Sequence, residues 1–147
     1  MKQPVIKSIL LTILLIAFFL SCKKEEDENS SVNLLTRSEW RLSKHEEKIN
    51  SDPYVDYFPG LPSCSRDDKY SFRKDGSYEV NEGATKCDPS DPQVFLTGTW
   101  QFTQNGSKIN IDANEFTINQ LDQDTFFISR NFISNPDTEY YKYTFVH

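Results

Sequence analysis

The alternation of apolar and polar residues is sharpest in residues 97–111, TGTWQFTQNGSKINI. Trp100 and Phe102 occupy every second position of one arm, and Ile109 and Ile111 do the same on the other, so each arm predicts a half-buried strand. Asn105-Gly106 lies between them and tolerates the positive φ angles of a tight hairpin turn. A turn centred there pairs Trp100 with Ile111 and Phe102 with Ile109. Four apolar side chains then share one face, and turn chemistry and hydrophobic pattern specify the same register.

The same reading runs along the chain. Leu34-Leu35 ahead of Thr36 predicts one helical turn able to plug the end of a core. Trp40–Ile49 is the first expected strand, with Trp40 and Leu42 on one face. Residues 50–66 read as a loop because Pro53, Pro59, Gly60 and Pro62 interrupt any ladder. Tyr54, Val55, Tyr57 and Phe58 make that loop unusually apolar, so it is expected to fold over a barrel opening or to form a contact surface. Residues 69–73 and 77–82 predict a second hairpin. A three-residue loop with Gly76 left-handed pairs Phe72 with Tyr78 and Tyr70 with Val80, whereas a two-residue turn would set Phe72 against Glu79. Residues 83–96 read as a loop. Strands are expected at 115–121, 125–130 and 138–147, the last with Tyr141, Tyr143 and Phe145 on one face.

Eight short strands at regular spacing with no long helical pattern predict an all-β fold, a small eight-stranded antiparallel meander barrel. A two-sheet β-sandwich is the alternative. Such short strands enclose a shallow lumen, so a mostly packed interior is expected, with any pocket at the mouth beneath the 54–58 loop.

The first 21 residues stand apart from this pattern. Lys2 and Lys7 precede an apolar run over 9–20 that is short for a membrane span and has the proportions of a signal-peptide core. The join Phe18-Phe19-Leu20-Ser21-Cys22 resembles the lipobox of bacterial lipoproteins. That resemblance implies lipidation at Cys22 and a membrane partner reached through the anchor, each buried methylene adding about 0.8 kcal/mol of membrane affinity. An ordinary cleaved signal is the alternative. Lys23-Lys24-Glu25-Glu26-Asp27-Glu28 follows and cannot bury apolar surface, so residues 22–33 are expected as a charged flexible tether, with the barrel domain over 34–147. The Lys-plus-acidic run also resembles the export signal of some surface-displayed outer-membrane lipoproteins. The expected location is the outer membrane, facing the periplasm or the cell surface.

Charge narrows the partners. Without residues 1–21, which carry two lysines and no acid, 14 basic and 22 acidic side chains remain. An acidic surface repels phosphate backbones, so nucleic acid is not an expected partner.

The order of elements carries a wider resemblance: a Trp-bearing first strand, Cys64 before Tyr70-Ser71-Phe72, then Asp75-Gly76, Cys87, Gly98-Thr99-Trp100 and repeated short strands. Over residues 35–147 it resembles the lipocalin-like domain of bacterial lipoproteins. The resemblance implies a fold more than a function.

Candidate chemistry is sparse. With Cys22 assigned to lipid, Cys64 and Cys87 remain in an oxidising compartment and are expected to pair, clamping the open end of the 69–82 hairpin. His45 and Glu47 fall on one strand face, read as solvated. Asp67-Asp68 and Asp88-Pro89-Ser90-Asp91 read as an acidic rim, and their spacing does not match an EF-hand. No phosphate loop and no Gly-x-Ser-x-Gly occurs, so neither a cofactor, a metal nor catalysis is expected.

Aromatic content remains the unusual feature, 20 of 147 residues. It supports a non-catalytic module that binds a small apolar ligand at the barrel mouth, with Tyr54, Tyr57, Phe58, Tyr70 and Trp100 as candidate contacts. The alternative is a packed barrel that uses the 54–58 loop to touch a macromolecule.

Overall fold

The computed structural model describes residues 23–147. The expected signal segment 1–21 and Cys22 lie outside those residues. The described chain forms a helix α1 (Lys23–Thr36), then strands β1 (Trp40–Ile49) and β2 (Val55–Asp56), a helical turn at Phe58–Gly60, and a one-turn helix α2 (Ser63–Arg66). Strands β3 (Lys69–Phe72), β4 (Ser77–Asn81), β5 (Val94–Thr103), β6 (Lys108–Ile111), β7 (Asn114–Leu121), β8 (Thr125–Ser134) and β9 (Asp137–Val146) follow.

Successive strands from β3 to β9 pair antiparallel, β1 pairs with β3, and β9 returns to β1. The sheet is therefore a closed eight-stranded meander, with two-residue β2 added beside β1. Closure removes the free edges that an open sheet of this length would present. The expected registers hold. Trp100 lies opposite Ile111 and Phe102 opposite Ile109, while Phe72 lies opposite Tyr78 and Tyr70 opposite Val80. Gly76 is left-handed, with φ of 83°. The β5–β6 turn is wider than a two-residue hairpin, because Gln104, Asn105 and Gly106 all take positive φ.

Several segments differ from the sequence pattern. Residues 23–33, within the stretch expected as a tether, are helical, in keeping with the helix propensity of Lys and Glu. Val94–Leu96, expected as loop, opens β5 by pairing with β4.

The core sits at one end of the barrel. Leu35, Trp40, Ile109 and Phe126 are fully buried there, with Phe72, Trp100 and Phe145 nearly so. Each such side chain contributes about 1.5–3 kcal/mol of burial. The last turn of α1 caps this end: the Trp40 indole N–H donates to the Leu35 carbonyl at 2.9 Å, and Lys74 donates to Asn33 at 2.7 Å. His147 stacks on Trp40 with ring centres 3.9 Å apart and fastens the C-terminus to it.

Cys64 and Cys87 form a disulfide with Cα atoms 5.2 Å apart. It ties α2 to the β4–β5 loop at the opposite, open end.

Candidate functional site

The site is made by the way β1 leaves its neighbour. β1 pairs with β3 only at Trp40 and Arg41, then diverges and meets β2 at Glu46 and Glu47. The wedge between is filled by the 50–68 segment, where the Tyr57 N–H donates to the His45 carbonyl and Asp56 accepts from the His45 N–H. The apolar loop thus seals the side of the barrel rather than its end. Divergence widens the barrel, and an open cavity of about 310 Å³ remains inside, with Leu42, Tyr70, Phe72, Phe116, Tyr143 and Phe145 among its walls. The interior is therefore packed only at the closed end. The expectation of a pocket confined to the mouth is corrected, since this cavity reaches residues of the buried core.

A β-bulge decides which side chains face it. The β1–β9 register shifts between Leu42 and Lys44, so β1 points Trp40 and Leu42 inward and then His45, Glu47 and Ile49. His45 and Glu47, read as a solvated face, lie on the inner wall. Across β1, β9 and β8 the registers stack inward side chains in rows. Leu42, Phe145 and Phe126 form the deepest row, followed by His45, Tyr143 and Ile128. Glu47, Tyr141 and Arg130 form the third row, with Ile49, Glu139 and Phe132 at the rim.

The polar groups of these rows hold one another. His45 stacks on Tyr143 at 4.7 Å, and its Nε2 lies 2.8 Å from Glu47 Oε1, within ion-pair range but off the geometry of a hydrogen bond. The Tyr141 hydroxyl donates to Glu139, and that bond pushes its pKa up to about 12. Burial raises Tyr143, with Arg130 opposing and Glu47 reinforcing the shift. Burial also raises Tyr70, helped by the Asp68 carboxylate. At neutral pH the site therefore offers phenol hydroxyls as hydrogen-bonding groups rather than phenolate charges.

Tyr78 is positioned by a glycine. Its hydroxyl donates to Asp112 Oδ2 at 2.7 Å, and burial together with that bond raises its pKa to about 12. A Cβ on Gly98 would come within 2.5 Å of the Tyr78 ring and 2.3 Å of Asp112 Oδ1, so only glycine lets the ring cross β5 there.

Of the expected contacts, Tyr70 lines the cavity. Tyr57, half exposed, sits 6.1 Å from the His45 ring at the rim. There it shares a second cavity of about 300 Å³ with Glu47, Ile49, Val55, Glu139 and Tyr141. Tyr54 lies outside the wall, under Lys48 and Lys142 at 5.1 and 3.7 Å. Alternation along β2 explains this, because Val55 takes the inward position opposite Glu47. Phe58 lines an outer groove with Leu42 and α2. Trp100 belongs to the packed end, where its indole N–H is shared between the Arg73 and Ser77 carbonyls, each at 3.0 Å. Sequence reasoning missed His45, Glu47 and Arg130. The bulge that turns the first two inward leaves no periodic signal in a polar run, and Arg130 read as a strand end.

Asp67 accepts from Ala84 and Thr85 and so ties the α2–β3 connection to the β4–β5 loop, whereas Asp88 accepts from Ser90 within its own loop. Among the described residues no group of three or more His, Cys, Asp or Glu side chains is arranged to hold a metal ion. Comparison with known proteins gave no matching family model and no matching curated sequence.

Proposed function

We propose that this protein is a lipid-anchored, lipocalin-like binding module that holds a small apolar molecule in the open half of its barrel and carries out no catalysis. The observation that supports this most directly is the cavity of about 310 Å³. Its walls are aromatic and aliphatic, with His45, Tyr70 and Tyr143 as the few polar groups, which is the usual make-up of a small-molecule site. Lipocalin-like membership rests on the meander barrel together with the order of the Trp, Cys and Gly landmarks. Lipidation rests on the residues around Cys22, and an outer-membrane location on the likeness of Lys23-Lys24-Glu25-Glu26-Asp27-Glu28 to an export signal of outer-membrane lipoproteins.

Titration of purified protein with a neutral apolar probe such as N-phenyl-1-naphthylamine tests the binding reading. Saturable binding is expected, and Leu96→Trp should abolish it, because Leu96 lines the cavity yet is exposed enough to accept a larger side chain. Equal binding by the variant, or none by the wild type, would sink the reading. Membrane fractionation of Cys22→Ala tests the anchor separately. The second reading, contact with a macromolecule, draws on the exposed apolar side chains at the rim, Ile49, Val55, Tyr57 and Phe132, each about half exposed.

A further inference from the structure

Among the described residues, Arg130 is a cation at the mouth of the cavity without an ion-pair partner. Arg130 stands one inward position above Ile128, a residue of the cavity wall. Its guanidinium lies 5.2 Å from the centre of the Phe116 ring and 5.3 Å from that of Tyr141, so two aromatic faces hold it in place. Phe116 is itself part of the wall. Nη1 donates to the neutral Asn114 Oδ1, and Nε is buried with no partner. Among the described residues no carboxylate comes within ion-pair distance of Arg130.

The acids on this face are engaged elsewhere. Glu47 stands 2.8 Å from the His45 Nε2 atom, and Glu139 accepts the Tyr141 hydroxyl. Glu47 is also two strands from Arg130 in the register, which sets their backbones about 9–10 Å apart by strand spacing. A fixed, partly desolvated guanidinium with an unmet donor is suited to a planar anion that can take two parallel hydrogen bonds. Repulsion from Glu47 acts over a longer distance and is screened by water at the mouth, so the contact with Arg130 dominates.

We infer that the site takes a small apolar molecule bearing a single carboxylate, with its body in the cavity and its carboxylate on Arg130. The inference rests on the reading of the barrel as a binding module and names the class of molecule that module selects. Size narrows the class further. A cavity of about 310 Å³ holds roughly ten water-sized groups at about 30 Å³ each. That fits a medium-length acyl chain or a small aryl acid and excludes full insertion of a long-chain lipid. Tyr143, near enough for its hydroxyl to feel the Arg130 charge, supplies a second, neutral group beside the carboxylate.

Calorimetric titration of the purified protein with decanoate, decanol and decylamine tests this, since the three share a body and differ in the head. Decanoate is expected to bind about ten-fold tighter than the other two, as a charge-assisted pair would give. The preference should shrink as salt is raised. Arg130→Gln should bring decanoate to the level of decanol while moving decanol by less than about two-fold, and Arg130→Lys should keep part of the preference. Decanol bound as tightly as decanoate by the wild type would overturn the carboxylate inference and leave the cavity reading standing. Failure of all three probes to bind would overturn both. If Arg130→Gln does not fold, the wild-type head-group comparison and its salt dependence decide the matter.

Discussion

Leu42 lies opposite Phe145 of β9 and Lys44 opposite Thr144, so the single residue between them, Ser43, has no partner of its own in the ladder. Its hydroxyl donates to the Thr144 carbonyl at 3.0 Å instead. This one extra residue sets the phase of everything that follows on β1. Before it, the inward positions are apolar and complete the packed end. After it, they bring His45 and Glu47 to the cavity wall.

Deleting Ser43 should therefore be tolerated, because Leu42 and Lys44 keep Phe145 and Thr144 as partners and strict alternation then holds His45 and Glu47 inward and Lys44, Glu46 and Lys48 outward. The expected cost is about 1–2 kcal/mol, from the lost hydroxyl bond and the lost local twist. Ser43→Ala removes one hydrogen bond and should cost about 1 kcal/mol. Urea denaturation of both proteins checks this, and a loss of several kcal/mol on deletion would show that the bulge is needed for more than the phase of β1.

Trp100 anchors the packed end by shape and by its N–H. It meets Phe72 and Phe102 edge-to-face, with ring centres 6.0 and 5.3 Å away. Trp100→Ala is expected to cost about 3–5 kcal/mol, as large-to-small core changes do. Trp100→Phe keeps most of the apolar area but gives up the indole donor to Arg73 and Ser77, for an expected cost of about 1–3 kcal/mol. Thermal melts of the two variants should fall in that order. A melting temperature near wild type for Trp100→Ala would contradict the packing described here.

Local chemistry made the hairpins legible. At β3–β4 and β5–β6 the turn residues and the aromatic or β-branched positions specify the same register, and those registers appear in the structure. The cavity was not legible, because it depends on where β1 parts from β3, and strand divergence has no sequence period. Ser43 lies in Arg41-Leu42-Ser43-Lys44-His45, where polar residues on both faces hide a change of phase. The outer part of β8, Asn131 to Ser134, was missed for a related reason. Its side chains are exposed on both faces, so no alternation marks it, and pairing with β9 alone extends it.

The disulfide should matter more to stability than its surface position suggests. Cys64 and Cys87 are 23 residues apart in sequence, and the chain-entropy model gives about 3 kcal/mol for closing such a loop in the unfolded state. The paired Cys64→Ser, Cys87→Ser variant is expected to melt roughly 10–20 °C lower, on the usual scaling for a domain near this size. Peptide mapping of the oxidised wild type without reductant should recover the cross-linked fragment. Two free thiols in that material would contradict the structure.

Asp68 is expected to oppose folding at neutral pH. Its carboxyl is raised from the ordinary range to about 6, first by burial and then by the neighbouring Glu82 and Asp67 carboxylates, against a backbone N–H from Gly83 that favours the charge. Oδ1 is buried with no partner, and Glu82 beside it is 7% exposed. The sign follows from the direction of the shift. A carboxyl harder to ionise in the folded state than in the unfolded one costs nothing well below the ordinary value of 3.8, where both states are protonated. The penalty then grows as pH rises toward 6 and stays constant above it. Asp68→Asn removes the charge while keeping the shape, so it should stabilise the protein at pH 7 and leave it nearly unchanged at about pH 2–3. Solvent screening at this half-buried site limits the gain to roughly 1 kcal/mol. Melting curves of wild type and Asp68→Asn across that pH range give the test. A difference that stays flat with pH, or a variant less stable at pH 7, would show that Asp68 is held by a partner that favours its charge.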